Sequence, residues 1–289
     1  MTNSTPPFYL LRPNFQLRPT IKQIVLVLLC VFFDTLSAKA QINNDSSTTN
    51  SSTTLRILSF NILHGATTRG DFDLDVIAKV ITDAHPDLVA LQEVDRKTNR
   101  AHALDLALEL GWKTKMAALF GKAMPYDGGE YGEALLSNYS IIQSRNIPLP
   151  HALGSEPRTA LEILVELPST DTIAFVGTHL DHLKEEKDRI AQALKINEVF
   201  SKNKYPTLLV GDLNAIPESP PINILEEMWT ATYDKSNPAA TYPSSAPTRK
   251  LDYVMYYPKN KWKVLETRVI QDTIASDHCA YLVTLELVK

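Results

Sequence analysis

The feature that most restricts the fold of this chain is a short apolar run that leads directly into polar groups. It is clearest at residues 208–214, which read LLVGDLN. The run predicts a buried strand that ends at Gly211, so Asp212 and Asn214 should follow the strand tip on one side. A carboxylate and an amide in this position are typical of sites in α/β proteins, although a simple Asx turn explains the same residues.

Similar apolar runs predict further strands, which alternate with segments of helical spacing. Strands are predicted at 55–62, 87–93, 114–120, 133–137, 141–147, 158–167, 173–178, 251–257, 263–270 and 280–288, and helices at 74–84, 101–110, 184–200 and 220–228. Residues 124–131 are rich in turn formers, and the strands at 133–137 and 141–147 are predicted to pair. This interleaving favours an α/β sandwich of mixed sheets over a purely parallel doubly wound sheet.

The N-terminal region has the pattern of a secretory signal peptide. Arg12, Arg18 and Lys22 precede an apolar run at residues 24–33, and an A-K-A sequence follows at 38–40. Ten apolar residues are too few for a span of about 20, so we predict a signal over residues 1–40 and no transmembrane span in the mature chain. A secreted or periplasmic location follows, and an uncleaved N-terminal membrane anchor is the alternative.

Residues 41–54 read QINNDSSTTNSSTT and predict a disordered linker, which leaves residues 55–289 as one domain. The first 40 residues hold four basic residues and one acidic residue of the 29 and 33 in the chain, so 25 basic and 32 acidic residues remain beyond them. An acidic balance disfavours general nucleic-acid binding. Cys279 is the only cysteine beyond residue 40, so no intrachain disulfide is expected there, and we expect a monomer.

Polar residues that follow apolar runs supply the candidate chemistry. Clustered carboxylates without paired cysteines suit Mg²⁺, Mn²⁺ or Ca²⁺ better than a cysteine-based zinc site. Histidines serve proton transfer near neutral pH, amides can hold a phosphate oxygen, and an arginine adds a positive fork. Each residue alone is explained by a turn or a solvated loop, but together they favour metal-assisted hydrolysis of a phosphoester. The candidates are Asn61, Glu93, Arg158, His179, Asp181, Asp212, Asn214, Asp252, Asp277 and His278.

Eight short segments occur in an order that resembles the endonuclease/exonuclease/phosphatase superfamily. They are SFNI at 59–62, LQEV at 91–94, YGEALLS at 131–137, EPRTA at 156–160, GTHLD at 177–181, GDLN at 211–214, LDYV at 251–254 and SDH at 276–278. The resemblance covers about residues 55–289, which would form the catalytic domain. It implies a four-layer α/β sandwich of two mixed sheets flanked by helices, the deoxyribonuclease I-like fold, with the site at one rim.

The resemblance also implies a metal-binding group and a first histidine–carboxylate pair. Glu93 resembles the main metal ligand, with Asn61 and Asp277 as its neighbours and Mg²⁺, Mn²⁺ or Ca²⁺ as the ion. His278 with Asp252 resembles the family's dyad, in which the carboxylate fixes the imidazole tautomer.

A second set of residues resembles the groups that handle the phosphate. Asp212 and Asn214 are similar to the pair that orients the nucleophile and holds the phosphate, and either Asp212 or His278 can be the general base. His179 with Glu133 resembles the second dyad of the deoxyribonuclease and sphingomyelinase branches. The remaining phosphate-binding groups implied are Asn61, Tyr131 and Arg158.

The function that these observations favour is an exported, divalent-metal-dependent phosphodiesterase acting on a lipid headgroup or another small phosphodiester. A secreted nuclease with the same site and a catalytically inactive binding module are the alternatives. The loops expected to set specificity are 64–73, 121–130 and 234–250. Four histidines fit no motif and are predicted to lie at the surface or in turns: His64, His85, His102 and His151.

Overall fold

The computed structural model of the chain describes residues 53–289. The predicted signal peptide and nearly all of the predicted linker therefore lie outside the described residues. The first strand begins at Thr53, two residues before the expected start of the domain, because Thr53 and Thr54 pair with Leu287 and Glu286 of the last strand. No helix within residues 53–289 is long and apolar enough to cross a bilayer.

Six strands form the first sheet, in the order β11-β12-β1-β2-β4-β3. Only β1 and β2 run parallel, because helix α1 connects them, and the other neighbours are antiparallel. The elements are β1 (Thr53–Asn61), α1 (Leu74–Ala84), β2 (Leu88–Arg96), α2 (Leu106–Thr114), β3 (Ala117–Tyr126), β4 (Gly129–Ser137), β11 (Trp262–Ile270) and β12 (Ala280–Leu287).

The second sheet repeats this plan with the order β5-β6-β7-β8-β10-β9. Its parallel pair is β7 and β8, which helix α3 connects, and its other neighbours are antiparallel. The elements are β5 (Ser140–Leu149), β6 (Arg158–Glu166), β7 (Thr172–His179), α3 (Lys187–Phe200), β8 (Thr207–Asp212), α4 (Pro220–Glu226), β9 (Thr230–Ala231) and β10 (Asp252–Tyr257). The two-residue strand β9 was not predicted.

Alternation along the strands explains why the two sheets stack between helices. In β1, Leu55 and Ile57 face the apolar core shared by the two sheets, whereas Leu58 and Phe60 face α1 and α2. A third core lies between the second sheet and helices α3 and α4. Strands buried on both faces read as continuous apolar runs, which is the pattern seen in the sequence. The four-layer α/β sandwich of two mixed sheets is thereby confirmed.

The boundaries of α2 differ from the prediction. The helix begins at Leu106 rather than near residue 101, because Asp105 caps it by accepting a hydrogen bond from the Leu108 amide at 3.2 Å. Gly111, which was expected to end the helix, lies inside it against Ala118 of β3, where a Cβ would approach the Ala118 side chain to 2.6 Å. The glycine therefore permits a close helix–sheet contact.

Two predictions about the middle of the chain were wrong. Residues predicted as a loop at 124–131 instead continue β3 and β4, which form a hairpin that turns at Asp127 and Gly128, both at positive φ. The strands expected to pair at 133–137 and 141–147 belong to different sheets, β4 to the first and β5 to the second. Local apolar pattern identifies a strand but carries no information about its partner.

Candidate active site

Strand ends from both sheets meet at one rim of the sandwich. His179 at the end of β7 pairs in register with Asp212 at the end of β8, and Asp212 pairs with Asp252 at the start of β10. Asn61 ends β1, and His278 lies two residues before β12. The rim surrounds a cleft of about 440 Å³ lined by His64, Glu93, Arg100, Met124, Tyr126, Tyr131, Glu156, Arg158, His179, His182, Asp212, Asn214, Tyr242, Arg249, Leu251, Asp277 and His278.

The two carboxylate oxygens of Asp212 have different partners. Oδ1 accepts the Asn214 amide proton at 2.9 Å, which is the Asx turn that the sequence allowed. Oδ2 accepts from Asn61 Nδ2 at 3.2 Å and faces the cleft. Gly211 precedes it because a Cβ at that position would lie 1.8 Å from the carbonyl oxygen of Thr178 in β7. The Asx turn at Asp212 is therefore part of the candidate site.

Glu93 is directed into the cleft by a β-bulge in β2. Pairing with β4 shifts between Leu91 and Val94, so Gln92 and Glu93 oppose the single residue Glu133. Glu93 has a positive φ of 57°, which is uncommon for a residue with a side chain. The bulge buries Gln92 and leaves the Glu93 carboxylate at the cleft wall.

The Glu93 carboxylate is held in its charged form. Asn61 Nδ2 donates to Oε1 at 3.1 Å, and His64 Nδ1 lies 3.5 Å from Oε2. Burial raises the pKa of Glu93, but the neighbouring His64, His179 and Asn61 outweigh burial and lower this pKa to about 2. Glu93 is therefore ionised throughout the neutral range.

His278 connects two carboxylates. Its Nδ1 lies 3.0 Å from Asp252 Oδ2 and its Nε2 lies 3.5 Å from Asp212 Oδ2, as expected for a histidine–carboxylate dyad beside Asp212. Burial lowers the pKa of His278, but the charges of Asp252 and Asp212 raise it to about 10. Burial also raises the pKa of Asp212, to about 6. The ring of Tyr242 packs on the imidazole with centroids 4.7 Å apart.

His179 has partners other than the expected Glu133. Its Nδ1 lies 3.1 Å from Arg158 Nη1, its Nε2 lies 2.9 Å from Asn214 Nδ2, and Asp212 Oδ2 is 3.5 Å away. Burial and the Arg158 charge hold the pKa of His179 well below its usual value, so the ring is neutral at pH 7. A neutral imidazole has one acceptor nitrogen, so it can accept from only one of these two donors, and an N–H on Nε2 would face the Asp212 carboxylate.

The expected pair of His179 and Glu133 does not form. Glu133 opposes the bulge inside β4, is fully buried, and does not line the cleft. Within the part of the chain that the structure describes, neither of its carboxylate oxygens has a hydrogen-bond partner. Burial raises the pKa of Glu133 well above its usual value, against the opposing effect of Arg158. Glu133 is therefore a neutral group beneath the site, and its predicted catalytic role is not supported by a contact with His179.

Arg158 forms the positive wall of the cleft and is 2 % exposed. Its Nη2 donates to Glu156 Oε2 at 2.8 Å and lies 3.2 Å from His182 Nδ1, whereas Nη1 faces His179. Tyr131, which was predicted to contact the phosphate, is buried and lines the same cleft. Arg158 and Tyr131, two of the residues predicted to bind the phosphate, thus both lie at the site.

Asp181 lies outside the cleft and has a local role. Its Oδ2 accepts the Leu183 amide proton at 3.0 Å, and its own amide donates to Gln192 in α3 at 2.9 Å. These contacts organise the connection between β7 and α3. The carboxylate therefore belongs to a turn and not to the candidate active site.

Hard oxygen donors converge on the cleft and fit a divalent cation. Glu93, Asp212 and Asp277 place three carboxylates there, beside the Asn61 amide. Burial raises the pKa of Asp277, and the nearby Glu93 adds to this. A cation would offset the mutual repulsion of these acids, and oxygen ligands of this kind suit Mg²⁺, Mn²⁺ or Ca²⁺.

A tighter group also occurs at the rim. Possible ligand atoms of Asp212, Asp252 and His278 lie within 4.8 Å of one another. His278 and Asp252 already satisfy each other through a hydrogen bond, and Asp252 is fully buried. This group is therefore better suited to proton transfer than to metal binding, whereas Glu93 and Asp277 remain open to the cleft.

Several residues at the cleft were not singled out from the sequence. His64 was expected at the surface, and Arg100 and His182 sit in connections without a recognisable motif. Lys250 is buried, with Nζ 3.7 Å from the centroid of the Tyr281 ring. The one available signal for His64 was its position three residues after Asn61.

Comparison with known proteins agrees with this geometry. The family model described as Endonuclease/Exonuclease/phosphatase family matches residues 58–278. This match shows that the chain belongs to the endonuclease/exonuclease/phosphatase family, whose members are hydrolases that act on phosphoester bonds. The deoxyribonuclease I-like fold expected from the sequence is thus confirmed.

Solved structures share the fold at low sequence identity. An endonuclease/exonuclease/phosphatase from Beutenbergia cavernae DSM 12333 is 23% identical with a TM-score of 0.65, over 81% of this chain and 72% of that one. A family protein from Bacteroides thetaiotaomicron is 17% identical with a TM-score of 0.69, over 82% and 99%. The mannosyl-6-phosphatase of Bacteroides thetaiotaomicron VPI-5482 is 18% identical with a TM-score of 0.64, over 80% and 99%.

Proposed function

We propose that this chain is a divalent-metal-dependent phosphodiesterase. The observation that carries the proposal is the position of His278 between Asp252 and Asp212, at 3.0 and 3.5 Å, in the same cleft as Glu93 and the buried Arg158. Proton-transfer groups, carboxylates for a cation and a fixed positive charge for an anion therefore meet in one place. Metal-assisted phosphoester hydrolysis uses these three elements together.

Glu93 and Asp277 would hold the cation, with Asn61 steering Glu93 through its 3.1 Å hydrogen bond. Mg²⁺, Mn²⁺ and Ca²⁺ all suit such ligands. When bound, the ion supplies charge stabilisation for the phosphate as negative charge develops on its oxygens. Asn61 also donates to Asp212, so one amide group connects the metal-binding side of the cleft with the proton-transfer side.

Asp212 is the better candidate for the base that accepts the proton of the attacking water. His278 is protonated at neutral pH, because Asp252 and Asp212 raise its pKa, and a protonated imidazole cannot accept a proton. Asp212 has a pKa of about 6 and one oxygen that faces the cleft. His278 would then stabilise the ionised Asp212 and present a positive charge to the phosphate.

The opposite wall of the cleft would bind the phosphate. Arg158 is fixed by Glu156, and Asn214 and Tyr131 lie along the same wall. His179 contacts Arg158 Nη1 at 3.1 Å through Nδ1 and Asn214 Nδ2 at 2.9 Å through Nε2, so both donors are held at this wall. Because a neutral imidazole can accept from only one of them, the other donor would be available to a phosphate oxygen.

A lipid headgroup or another small phosphodiester is the proposed substrate class. Two of the cleft's three arginines are already paired, Arg100 with Asp95 at 2.6 Å and Arg158 with Glu156. Among the described residues this leaves Arg249 as the lining arginine without an ion pair, which is little positive charge for a polyanion. The excess of acidic residues beyond residue 40 is also unfavourable for a nucleic-acid backbone. A compact diester with one charged phosphate fits this balance best.

A panel of substrates tests the proposal on the full chain with Mg²⁺ or Mn²⁺. We expect cleavage of bis-p-nitrophenyl phosphate, little cleavage of p-nitrophenyl phosphate, and loss of activity in EDTA and in Glu93→Ala. Sphingomyelin vesicles and soluble glycerophosphocholine in parallel distinguish a lipid surface from a free diester. Full activity in EDTA, or an active Glu93→Ala, would contradict the metal-dependent mechanism.

Supercoiled plasmid in the same panel separates the proposal from a nuclease. The proposed diesterase leaves plasmid intact under conditions in which the small diester is consumed. Plasmid cleavage that falls steeply with salt concentration would instead assign nucleic acid as the substrate. Binding of metal without turnover of any phosphoester would indicate an inactive binding module.

We also propose that the chain is exported through its N-terminal signal. The support is the charged flank, apolar run and A-K-A sequence of residues 1–40. N-terminal sequencing of the exported protein should begin at Gln41. Recovery of the intact N-terminus in a membrane fraction would show an uncleaved anchor instead.

A further inference from the structure

His64 is placed in the cleft by an unusual turn directly after β1. Leu63, His64 and Gly65 have φ values of 46°, 48° and 87°, so two residues with side chains adopt a left-handed backbone in succession. Asn61 Oδ1 accepts the Leu63 amide proton at 3.1 Å and holds the start of the turn. Residues in such conformations persist only where their surroundings impose them, and they cluster at functional sites.

Gly65 closes the turn where a larger residue could not. A Cβ at this position would lie 2.6 Å from the Phe72 ring and 3.3 Å from a Leu74 side-chain carbon. The Gly65 amide donates to the carbonyl oxygen of Ile62 at 3.0 Å. The apolar packing beneath the turn therefore fixes the direction in which His64 points.

The His64 imidazole faces Glu93 at the mouth of the cleft. Nδ1 lies 3.5 Å from Glu93 Oε2, and the two side chains keep 27% and 25% of their surface exposed. This distance is longer than a normal hydrogen bond, and it is within about 0.5 Å of the roughly 3 Å between adjacent ligand atoms on an ion with bonds of about 2.1 Å. Glu93 Oε1 is already engaged by Asn61, whereas Oε2 and His64 Nδ1 face each other, and both residues line the cleft.

We propose that His64 is a nitrogen ligand of the cation that Glu93 holds, which makes the centre a mixed nitrogen–oxygen site. This inference rests on the metal-dependent function proposed above and specifies its ion. Imidazole suits transition ions, whereas Mg²⁺ and Ca²⁺ prefer oxygen ligands alone. The site therefore favours Mn²⁺ or a later transition ion over Mg²⁺.

The alternative role for His64 is a structural one, in which the ring only orients the Glu93 carboxylate. The two roles differ in a property that does not depend on catalysis. A directly bound imidazole gives nitrogen couplings in the pulsed electron paramagnetic resonance spectrum of bound Mn²⁺, whereas an orienting ring outside the ion's ligand shell does not.

The test uses the full chain loaded with one equivalent of Mn²⁺. His64→Asn and His64→Gly remove the imidazole and tolerate the positive φ, so the turn can be retained. His151→Asn, at an exposed histidine that is not part of the cleft lining, is the matched control. Thermal melts of the metal-free variants check that each one folds.

We expect nitrogen couplings in the unaltered protein and in His151→Asn, and their loss in both His64 variants. Calorimetric titration should show the preference for Mn²⁺ over Mg²⁺ falling by about tenfold or more in the His64 variants. Couplings that survive both substitutions would overturn the inference, because the nitrogen would then come from His179 or His278. Couplings absent from the unaltered protein would overturn it as well.

The outcome also separates this inference from the function on which it rests. If Mn²⁺ binds and a diester is cleaved while the His64 variants keep the same spectrum, only the ligand assignment fails. If the unaltered protein binds no Mn²⁺ or Mg²⁺ at all, the metal-dependent function fails and the assignment of His64 fails with it.

Discussion

Single residues at this site carry out two tasks at once. Asp212 uses one oxygen to close an Asx turn and the other to face the cleft, and Asn61 uses one amide group to reach both Glu93 and Asp212. Because each group is held from two sides, little side-chain entropy remains to be lost when a substrate binds. The geometry needed for catalysis is thus present before the substrate arrives.

Glu93→Gln tests the role of the cleft carboxylate at constant size. The amide can still accept the Asn61 hydrogen bond but carries no charge for a cation. We expect kcat/KM for a phosphodiester to fall by about 10²–10³-fold, as for the loss of a major electrostatic contact in a transition state. Glu198→Gln, an exposed carboxylate on α3, is the control and should retain activity. Equal activity in the two variants would remove Glu93 from the mechanism.

His278 should stabilise the folded protein at low pH and lose this effect as the pH rises. Its pKa rises from 6.5 in the unfolded chain to about 10 in the folded one, so its stabilising effect is complete below pH 6.5 and disappears as pH rises towards 10. Between these values the folded state holds a proton that the unfolded state has lost. The stability from this group therefore falls by up to about 1.4 kcal/mol per pH unit.

The measurement is the free energy of unfolding in EDTA against pH for the unaltered protein and for His278→Gln. The two proteins must be compared because a second group also makes stability depend on pH. Burial lowers the pKa of Lys250 to about 7, so its effect makes the free energy of unfolding rise with pH over much of the same range. We expect the two curves to converge as pH rises from 6.5 to 10. Parallel curves would mean that Asp252 and Asp212 do not hold the proton on His278.

Irregular elements position the site more than regular ones do. The bulge in β2 points Glu93 at the cleft, and the turn at residues 63–65 does the same for His64. A residue with a side chain in the left-handed region costs on the order of 1–3 kcal/mol, so the surrounding packing must supply this energy. Packing is also close at Gly211 of β8, where a Cβ would lie 1.8 Å from the Thr178 carbonyl oxygen of β7.

Gly211→Ala should disrupt the pairing of β7 and β8 at the site. The new methyl group would lie 1.8 Å from the Thr178 carbonyl oxygen, which is backbone and cannot move alone. We expect a loss of about 3 kcal/mol or more in the free energy of unfolding, with His179 displaced from Asp212. Chemical denaturation and activity measure the two effects.

Gly154→Ala is the matched control for this substitution. It also introduces a methyl group at a glycine, at φ 89°, but nothing lies within 4 Å of the added atom. Its cost should be limited to the backbone conformation, about 1 kcal/mol. A Gly211 variant no less stable than the Gly154 variant would show that the strands can separate without cost.

At the scale of the whole molecule, the site exists because two sheets pack against each other. Asn61 and Glu93 come from the first sheet, whereas His179, Asp212 and Asp252 come from the second. His278, in the connection before β12 of the first sheet, bonds to Asp252 of the second. The apolar core between the sheets therefore sets the distance between metal-binding and proton-transfer groups.

Metal binding should stabilise the whole domain. Repulsion among Glu93, Asp212 and Asp277 is relieved by a cation that binds only the folded chain. At a concentration of about 100 times Kd, Mn²⁺ should add about 2.7 kcal/mol to the free energy of unfolding, and the melting temperature should rise with metal concentration. The same titration of Glu93→Gln should give a much smaller rise. An unchanged melting temperature in the unaltered protein would contradict a cation site in the folded state.

Much of the architecture could be predicted from local sequence. The helix at 74–84 and most strands follow from the spacing of apolar residues, and Asp212, Asp252 and His278 follow from their positions beside strand ends. These features depend on neighbours in the chain, because burial of a strand on both faces requires a continuous apolar run. The family motifs then identified the dyad of His278 and Asp252, which the structure places at 3.0 Å.

Contacts between side chains that are far apart in the sequence depend on the tertiary structure. Asn61 bonds to Asp212 across 151 residues, a contact that no local pattern contains. Glu133 and His179 have the sequence context of a dyad, yet the bulge opposite Glu133 buries the carboxylate below the site and leaves His179 with Arg158 and Asn214. Local sequence was enough to predict most of the strands and the polar groups at their ends. The directions of the side chains could be seen only in the folded molecule, because they depend on bulges, left-handed turns and sheet packing.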